Sequence, residues 1–400
     1  MLKSLAVELI AEVAPRLGFR LHLEPTYRYV GQLVTPDGRH LYFRNTHLDV
    51  NGEGSAEIAN DKAFAAYFMA GLGYPVPAGQ TFYSESWCRV VGSDRGVEAA
   101  AEYARGLGFP VIVKPNSKSL GAGVARVHDR RELRRAMRVV FEETGDRVAL
   151  VQPIVPGDDY RIVVFEREVI AAYQRLPLAV VGDGRRDVRA LLADRAAALA
   201  AARRDTRLSV DDRRIAARLR RLGLTGDFVP ADGQRVVLLD NANLSTGGEP
   251  VDVTDRLHRG YARLAVDVTR DMGLRFCGVD ILTTGPIDEP PRGHVVLEIN
   301  PGPGLDHYAA LGPPQRARVV RLYELTLRAL LTDRVAPSAP PTLTGHSEPS
   351  EAAMAGSRSA MPPPPAPGPR GRRAGGDSSD RAPGPDRARA AQASADAPPE

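Results

Sequence analysis

Three side chains with oxygen donors stand close together late in the chain. Asp280 closes the apolar run LRFCGVDIL, and Glu298 and Asn300 interrupt VVLEINPGPGLDHY. Side chains alternate across a strand, so Glu298 and Asn300 share one face and Ile299 takes the other. Pro301 and Pro303 end sheet pairing just beyond them. If the two segments pair, the three oxygens converge at one end of a sheet. Asp, Glu and Asn are too few to enclose Ca²⁺, but they suit a Mg²⁺ that also takes phosphate oxygens and water. The competing reading is a solvated strand face, with Asp280 an ordinary strand-end residue. The residues alone leave both open.

A cation lies upstream. FPVIVKPNSKSLGAGV puts Lys114 at the end of an almost wholly apolar strand, in an arginine-dominated chain whose other lysines are at 3, 62 and 118. A buried ammonium is costly unless it meets an anion. Ser117, Ser119, Gly121 and Gly123 follow it in a flexible loop whose backbone N–H groups can approach phosphates. The loop is neither GxxxxGK[ST] nor a dinucleotide fingerprint, because GAGVAR lacks a third glycine and leads into a strand. Arg161 in PGDDYRIVVF and Arg175 in EVIAAYQRLP fall on neighbouring strands of a hairpin. Their guanidinium groups either clamp phosphate in bidentate fashion or line a solvated face. LLDNANLSTGGEP, 238–250, is dense in donors and reads equally as an anion cradle or a turn. No GxSxG occurs, and His258-Arg259-Gly260 and Asp227-Phe228-Val229 only graze kinase patterns, which sets aside a serine hydrolase and a protein kinase.

The elements that must position these residues follow from pattern. A leading amphipathic helix precedes a β-hairpin, YRYVGQLV-TPDG-RHLYF, turned by Pro36-Asp37-Gly38. One helix is expected near Glu57–Met69, capped by Asn60 or Ser55. Then come the helix GVEAAAEYARGLG, the Lys114 strand, the Gly-rich hairpin and a helix over 130–143. Strands RVALVQPIV, YRIVVFE and EVIAAYQR lead to a helical stretch over 188–222. VVLLD, the 241–248 loop, a helix over 256–272, the Asp280 and Glu298 strands, and a helix over 315–331 complete the order. Hairpins mix with helices without strict βαβ alternation, so the fold class is α+β.

Composition bounds the rest. Of 400 residues, 43% are hydrophobic and 26% charged, which suits two or three compact lobes. The net charge of +4 does not itself imply nucleic acid. Cys88 and Cys277, the only cysteines, make a disulfide framework or zinc site improbable. No apolar run suits a membrane span, and Glu8 and Glu12 break up the N-terminal apolar stretch. The expectation is a cytoplasmic protein without a nucleic-acid or membrane partner; homo-oligomerisation is left open. From 336 the sequence is Pro, Ala, Gly, Ser and Arg with seven Arg balancing seven Asp plus Glu from Pro337 onward, a tail expected to be disordered.

In order, EIANDK (57–62), GYPVPAG (73–79), FPVIVKPNSKSLGAGV (109–124), VQPIVPGDDYRIVV (151–164), YQRLPLAVVGDG (173–184), NANLSTGGEPVDVTDRLH (241–258), LRFCGVDI (274–281) and LEINPGPGLDHY (297–308) resemble the ATP-grasp domain of cyanophycin synthetase. They are similar, more distantly, to glutathione-synthetase-like and D-alanine–D-alanine ligases. The resemblance implies two α+β lobes holding ATP between antiparallel sheets. It divides the chain into an N-terminal segment (1–56), an ATP-grasp domain (57–335, its small lobe about 78–155) and the tail (336–400). It implies an ADP-forming carbon–nitrogen ligase acting on an amino acid or short peptide through an acyl phosphate. The alternative is a nucleotide-binding sensor or scaffold without turnover. Lys62 and Lys114 would contact ATP phosphates, and Ser119, Gly121 and Gly123 would lie in the loop closing over them. Gln152, Pro153 and Ile154 would form the adenine hinge, where the family usually has Glu in place of Gln152. Asp280, Glu298 and Asn300 would hold Mg²⁺, with Mn²⁺ as an alternative. Arg161, Arg175 and Asn243 would surround the acyl phosphate, and His307 would touch substrate. The family's Mur-ligase-like half is not seen, and its N-terminal domain shrinks to roughly 55 residues. A single-reaction ligase is therefore expected in preference to a two-amino-acid polymerase.

Overall fold

The computed structural model describes residues 4–119, 121–201, 208 and 211–332. The expected disordered tail lies outside them. Among the described residues the strands form four antiparallel sheets. Helix α1 (Leu5–Val13) leads into the first, a meander of β1 (Arg20–Leu23), β2 (Val30–Val34), β3 (His40–Arg44) and β4 (His47–Leu48). The expected hairpin is β2–β3, and its turn is closed by Gly38 N–H donating to the Thr35 carbonyl at 2.9 Å. The sequence reading missed β1 and β4, which extend that hairpin on both edges.

The expected single helix over 57–69 is two. α2 (Glu53–Asn60) stops and α3 (Lys62–Gly71) restarts, because Asp61 leaves the helical region at φ −95°, ψ 108°. The cap is Asp61, not Asn60 or Ser55. Its carboxylate accepts the Phe64 N–H at 2.9 Å and an Asn116 amide N–H at 2.6 Å. This break places Lys62 at the start of a helix, beside the loop that follows Lys114.

The second sheet has order β5 (Gln80–Tyr83), β8 (Val148–Pro153), β6 (Val111–Pro115), β7 (Ala125–Val127). α4 (Glu85–Val91) follows β5. One face packs Val111, Val113 and Val151 against α5 (Val97–Leu107) and α6 (Arg130–Arg138) through Ala101, Leu133 and Met137. The other face carries Ile112, Lys114, Leu150 and Gln152, by strand alternation. Burying each large apolar side chain contributes roughly 1.5–3 kcal/mol, so this small sheet can hold its buried lysine.

From β8 the chain crosses at 154–157 into a third sheet through the hairpin β9 (Asp158–Phe165) and β10 (Glu168–Leu176). An insertion follows: a ribbon of β11 (Ala179–Val181) and β12 (Arg235–Val237) enclosing α7 (Val188–Ala201) and α8 (Arg213–Arg221). β13 (Glu249–Asp252), α9 (Arg259–Asp271), β14 (Phe276–Thr283) and β15 (His294–Asn300) complete a sheet of order β13-β10-β9-β14-β15. α10 (Asp306–Ala309) and α11 (Pro313–Thr332) end the described chain. One sheet face packs Ile162, Val279 and Ile299 against α3 and α9; the other packs Val163, Phe165 and Tyr173 against α1 and α11. Among the described residues no helix is long and apolar enough to cross a membrane.

Replacing Asp61 by alanine removes one cap bond and leaves the Asn116 amide without its acceptor. Asp61→Ala is expected to lower stability by about 1–2 kcal/mol, read as an earlier urea midpoint with an unchanged slope.

Candidate active site

The charged residues gather on one face of the five-stranded sheet because of register. Asp280 pairs with Glu298 on one side and with Arg161 on the other, Gly278 pairs with Asn300, and Arg175 faces Asp159 across the β9–β10 hairpin. Asp280 lies in the middle of β14, not at its end as its place in the sequence suggested. Two bulges set this arrangement, one where the β9–β10 pairing slips between Val169 and Ala171 and one in β15. The pairing slips between Asp280 and Ile281, so Leu297 is an extra residue in β15. Val296 therefore turns to the same core as Ile299, while Glu298 and Asn300 stay on the charged face.

Asp280 is fully buried, and Arg161 grips it with Nε at 2.6 Å from Oδ1 and Nη2 at 2.7 Å from Oδ2. Arg175 Nη1 adds a contact to Oδ2 at 3.0 Å. Arg175 also donates to Asp159 Oδ1 from Nε at 2.9 Å and from Nη2 at 2.6 Å. Burial pushes the Asp159 carboxyl above the usual range against the pull of Arg175. The two arginines read from sequence as phosphate clamps thus already fork onto carboxylates.

Glu298 differs from Asp280. Its contacts are long: Lys62 Nζ lies 3.8 Å from Oε2, and Arg161 Nη2 lies 4.0 Å from Oε1. Burial alone would raise its carboxyl, but Lys62, Lys114, Arg161 and Arg175 outweigh that and hold it at about 2. Lys114 is buried, and the loss of water lowers its ammonium to about 8 although Glu298 pulls it up. Lys62 Nζ also donates to the Lys118 carbonyl at 2.7 Å, tying α3 to the Gly-rich loop.

The remaining expected residues fall around this cluster. Ser119 is exposed in the loop, and Gly123 lies at its return. Gly121, at φ +69°, leaves no room for a side chain: a Cβ there would lie 2.7 Å from Asn243 Nδ2. The Gly-rich loop thereby rests on the 241–248 loop, where Asn243 Oδ1 accepts the Ser245 N–H at 3.0 Å. That second loop is anchored by Asp240, which pairs with Arg218 and Arg221 of α8, each at 2.9 Å. Gln152 is buried at the end of β8, and Pro153 and Ile154 begin the crossover between the two sheets. His307 sits on α10 next to Tyr308, whose ring stacks on Tyr173 at 5.3 Å.

Asp159 and Asp61 were missed as site residues. PGDDYRIVV shows Asp159 two residues before Arg161, a signal that would have found it. The signal for Asp61 is the pair Asn60-Asp61, weak helix formers of which Asp is a preferred N-cap residue.

Among the described residues no three His, Cys, Asp or Glu side chains gather as a metal cage. The Glu298 oxygens take only the two long ion pairs, and the Asn300 Nδ2 is buried without a partner among the described residues. Asp280 Oδ2 already takes two donors, whereas Oδ1 takes one. Glu298, the Asn300 amide and Asp280 Oδ1 fit a Mg²⁺ that draws its other ligands from phosphate and water.

No protein-family model matches the chain. It is 33% identical over 240 residues to the glutathione biosynthesis bifunctional protein GshAB of Mannheimia succiniciproducens, covering 56% of this chain and 29% of that protein. It is 31% identical over 285 residues to cyanophycin synthetase of Nostoc sp., covering 68% and 29% respectively. The chain thus spans less than a third of the length of these relatives. The solved structure of a bifunctional glutathione synthetase from Pasteurella multocida superposes on 80% of this chain and 43% of its own, with a TM-score of 0.51 and 25% identity. The chain has the ATP-grasp fold. Its ATP-grasp fold is α+β, with antiparallel sheets as the sequence led us to expect.

Within this ATP-grasp fold the buried arginine fork is structural as well as electrostatic. Arg161→Met strips Asp280 of its two-bond fork and leaves the buried carboxylate only the Arg175 contact, with an expected loss of about 3–5 kcal/mol; adding Asp280→Leu is expected to recover much of it, as read by paired denaturation curves. Glu298 titrates at about 2 when folded, against 4.5 for its ordinary carboxyl. Its stabilisation is complete above pH 4.5 and is lost as pH falls towards 2. The gap in urea midpoint between wild type and Glu298→Gln, in metal-free buffer, is expected to close through that window.

Proposed function

We propose that the chain is an ATP- and Mg²⁺-dependent carboxylate–amine ligase that joins an amino acid or short peptide to an amine and releases ADP and phosphate. The observation that carries this reading is a carboxylate, Glu298, left without hydrogen-bond donors among the described residues yet ringed by cations, with Lys62 Nζ 3.8 Å and Arg161 Nη2 4.0 Å from its oxygens and Lys114 also holding it ionised. Such a group binds a cation beside a polyanion. The reading is of a cytoplasmic enzyme with small-molecule partners.

A substrate carboxylate attacks the γ-phosphorus of ATP, forming an acyl phosphate and ADP. An amine then attacks the acyl carbon, loses a proton, and expels phosphate. Phosphoryl transfer mainly needs positioning and charge neutralisation. Lys114 and Lys62 supply positive charge from two elements that meet at the Gly-rich loop. Ser119, Gly121 and Gly123 present backbone N–H groups over the phosphates, and Gln152 to Ile154 border the adenine. Arg161 and Arg175, pre-aligned by Asp280 and Asp159, place positive charge where the acyl phosphate forms. Asn243 and His307 stand at the substrate end. Mg²⁺, held by Glu298, Asn300 and Asp280, would neutralise charge on the phosphate oxygens.

Amine-dependent ADP release with a panel of amino acids and acidic dipeptides tests the reading. Glu298→Gln is expected to reduce that release by about 10²–10³-fold; unaltered turnover would contradict it. Lys114 loses its proton at about pH 8 in the free protein. ATP affinity is therefore expected to weaken as pH rises beyond 8, and to stay level to higher pH in Lys114→Arg, as measured by equilibrium titration.

A further inference from the structure

At one end of the five-stranded sheet the ladder between β14 and β15 stops where Gly278 faces Asn300. Pro301 follows and brings no N–H to continue it. Phe276, at the start of β14, is buried and would be left with an N–H and a carbonyl facing no strand. Buried backbone groups of that kind are costly unless paired.

Asn51 fills the gap. It stands just ahead of Gly52, the N-cap of α2. Its side-chain amide uses every donor and acceptor it has. Oδ1 accepts the Arg275 N–H at 2.8 Å and the Phe276 N–H at 3.0 Å. Nδ2 donates to the Phe276 carbonyl at 2.8 Å and to the Pro301 carbonyl at 2.6 Å. Against Phe276 the amide pairs in both directions, as the peptide of a neighbouring strand would. The fourth bond reaches the residue next to Asn300.

The consequence falls on Asn300. Its Nδ2 is buried without a partner among the described residues, so that nitrogen does not fix the side chain. What fixes it is the backbone on either side. Before Asn300 the strand is paired to β14; after it, the Pro301 carbonyl is held by Asn51 and the Gly302 carbonyl by Thr46 Oγ1 at 2.8 Å. Both of the later bonds come from the N-terminal segment, far from the strand in sequence.

We propose that Asn51 is a positioning residue. By pinning the Pro301 carbonyl to the start of β14, it holds the Asn300 amide oxygen at a set reach from Glu298 and Asp280, so that the three accept one divalent cation. Groups that orient a metal ligand in this way carry roughly 10–100-fold in metal affinity. The inference rests on the ligase reading for the cation that Asn300 holds.

The test uses the full chain with Mn²⁺ and a non-hydrolysable ATP analogue, free Mn²⁺ being counted by electron paramagnetic resonance. Asn51→Asp keeps the shape and the two accepted bonds but turns a carboxylate oxygen towards the Phe276 and Pro301 carbonyls. It is expected to weaken Mn²⁺ binding at least tenfold, while affinity for the analogue without metal stays within about twofold. Asn51→Ser, which cannot bridge both strands, is expected to show the same loss. Met137→Ala, a core truncation behind the small sheet, is expected to lower the thermal midpoint and keep wild-type Mn²⁺ affinity. Wild-type Mn²⁺ affinity in a folded Asn51 variant would overturn the proposal and leave the ligase reading standing. So would an equal loss in Met137→Ala, since instability alone would then explain the effect, and so would failure of both Asn51 variants to fold, which would make the clamp purely structural. No nucleotide-dependent Mn²⁺ binding by wild type would remove the metal of the ligase reading and the proposal together.

Discussion

The structure depends on holding an excess of positive charge next to buried carboxylates without letting either collapse onto the other. Asp280, fully buried, is neutralised by a two-bond fork from Arg161. That fork holds Arg161 back from closing on Glu298, which it meets only at 4.0 Å. Glu298 thus stays ionised and available. Were it hydrogen-bonded as tightly as Asp280, the site would be a stable salt-bridge network and nothing more. The difference between a satisfied and an unsatisfied carboxylate, one strand apart, is what separates a structural network from a binding site.

Such a cluster needs elements from distant parts of the chain. β9, β10, β14 and β15 contribute the arginines and carboxylates, β6 brings Lys114, and the start of α3 brings Lys62. Each cation is positioned by something that would be lost in a looser fold. Lys114 is held in an apolar sheet; Lys62 is placed by the break at Asp61 and pinned to the Lys118 carbonyl. The Gly-rich loop is bounded from outside by Asn243, whose own loop is tied to α8 through Asp240.

Part of this was legible in the sequence. Alternation alone put Glu298 and Asn300 on one face and Ile299 in the core, and an interior lysine in an arginine-dominated chain pointed to Lys114. Partners were harder. Arg161 and Asp280 lie 119 residues apart, so no local pattern links them. Nor could strand alternation give the opposition of Arg175 to Asp159, because the β9–β10 pairing slips between Val169 and Ala171 and shifts the register. The bulge at Leu297 was hidden in the same way. β13 and β1 carry weak strand signals, because the four residues of β13 include Pro250 and RLHL has little apolar length. The break at Asp61 is marked only by the pair Asn60-Asp61, two poor helix formers set between residues that otherwise favour one continuous helix.

The most direct test of the central claim is where a divalent cation sits when an ATP analogue is bound. Crystals grown with Mn²⁺ and a non-hydrolysable ATP analogue, examined by anomalous scattering, are expected to show the metal within about 2.0–2.3 Å of both the Glu298 carboxylate and the Asn300 amide oxygen, with the triphosphate against Lys114. A metal bound elsewhere while the nucleotide is present, or Glu298 closed onto Arg161 in its place, would contradict the account.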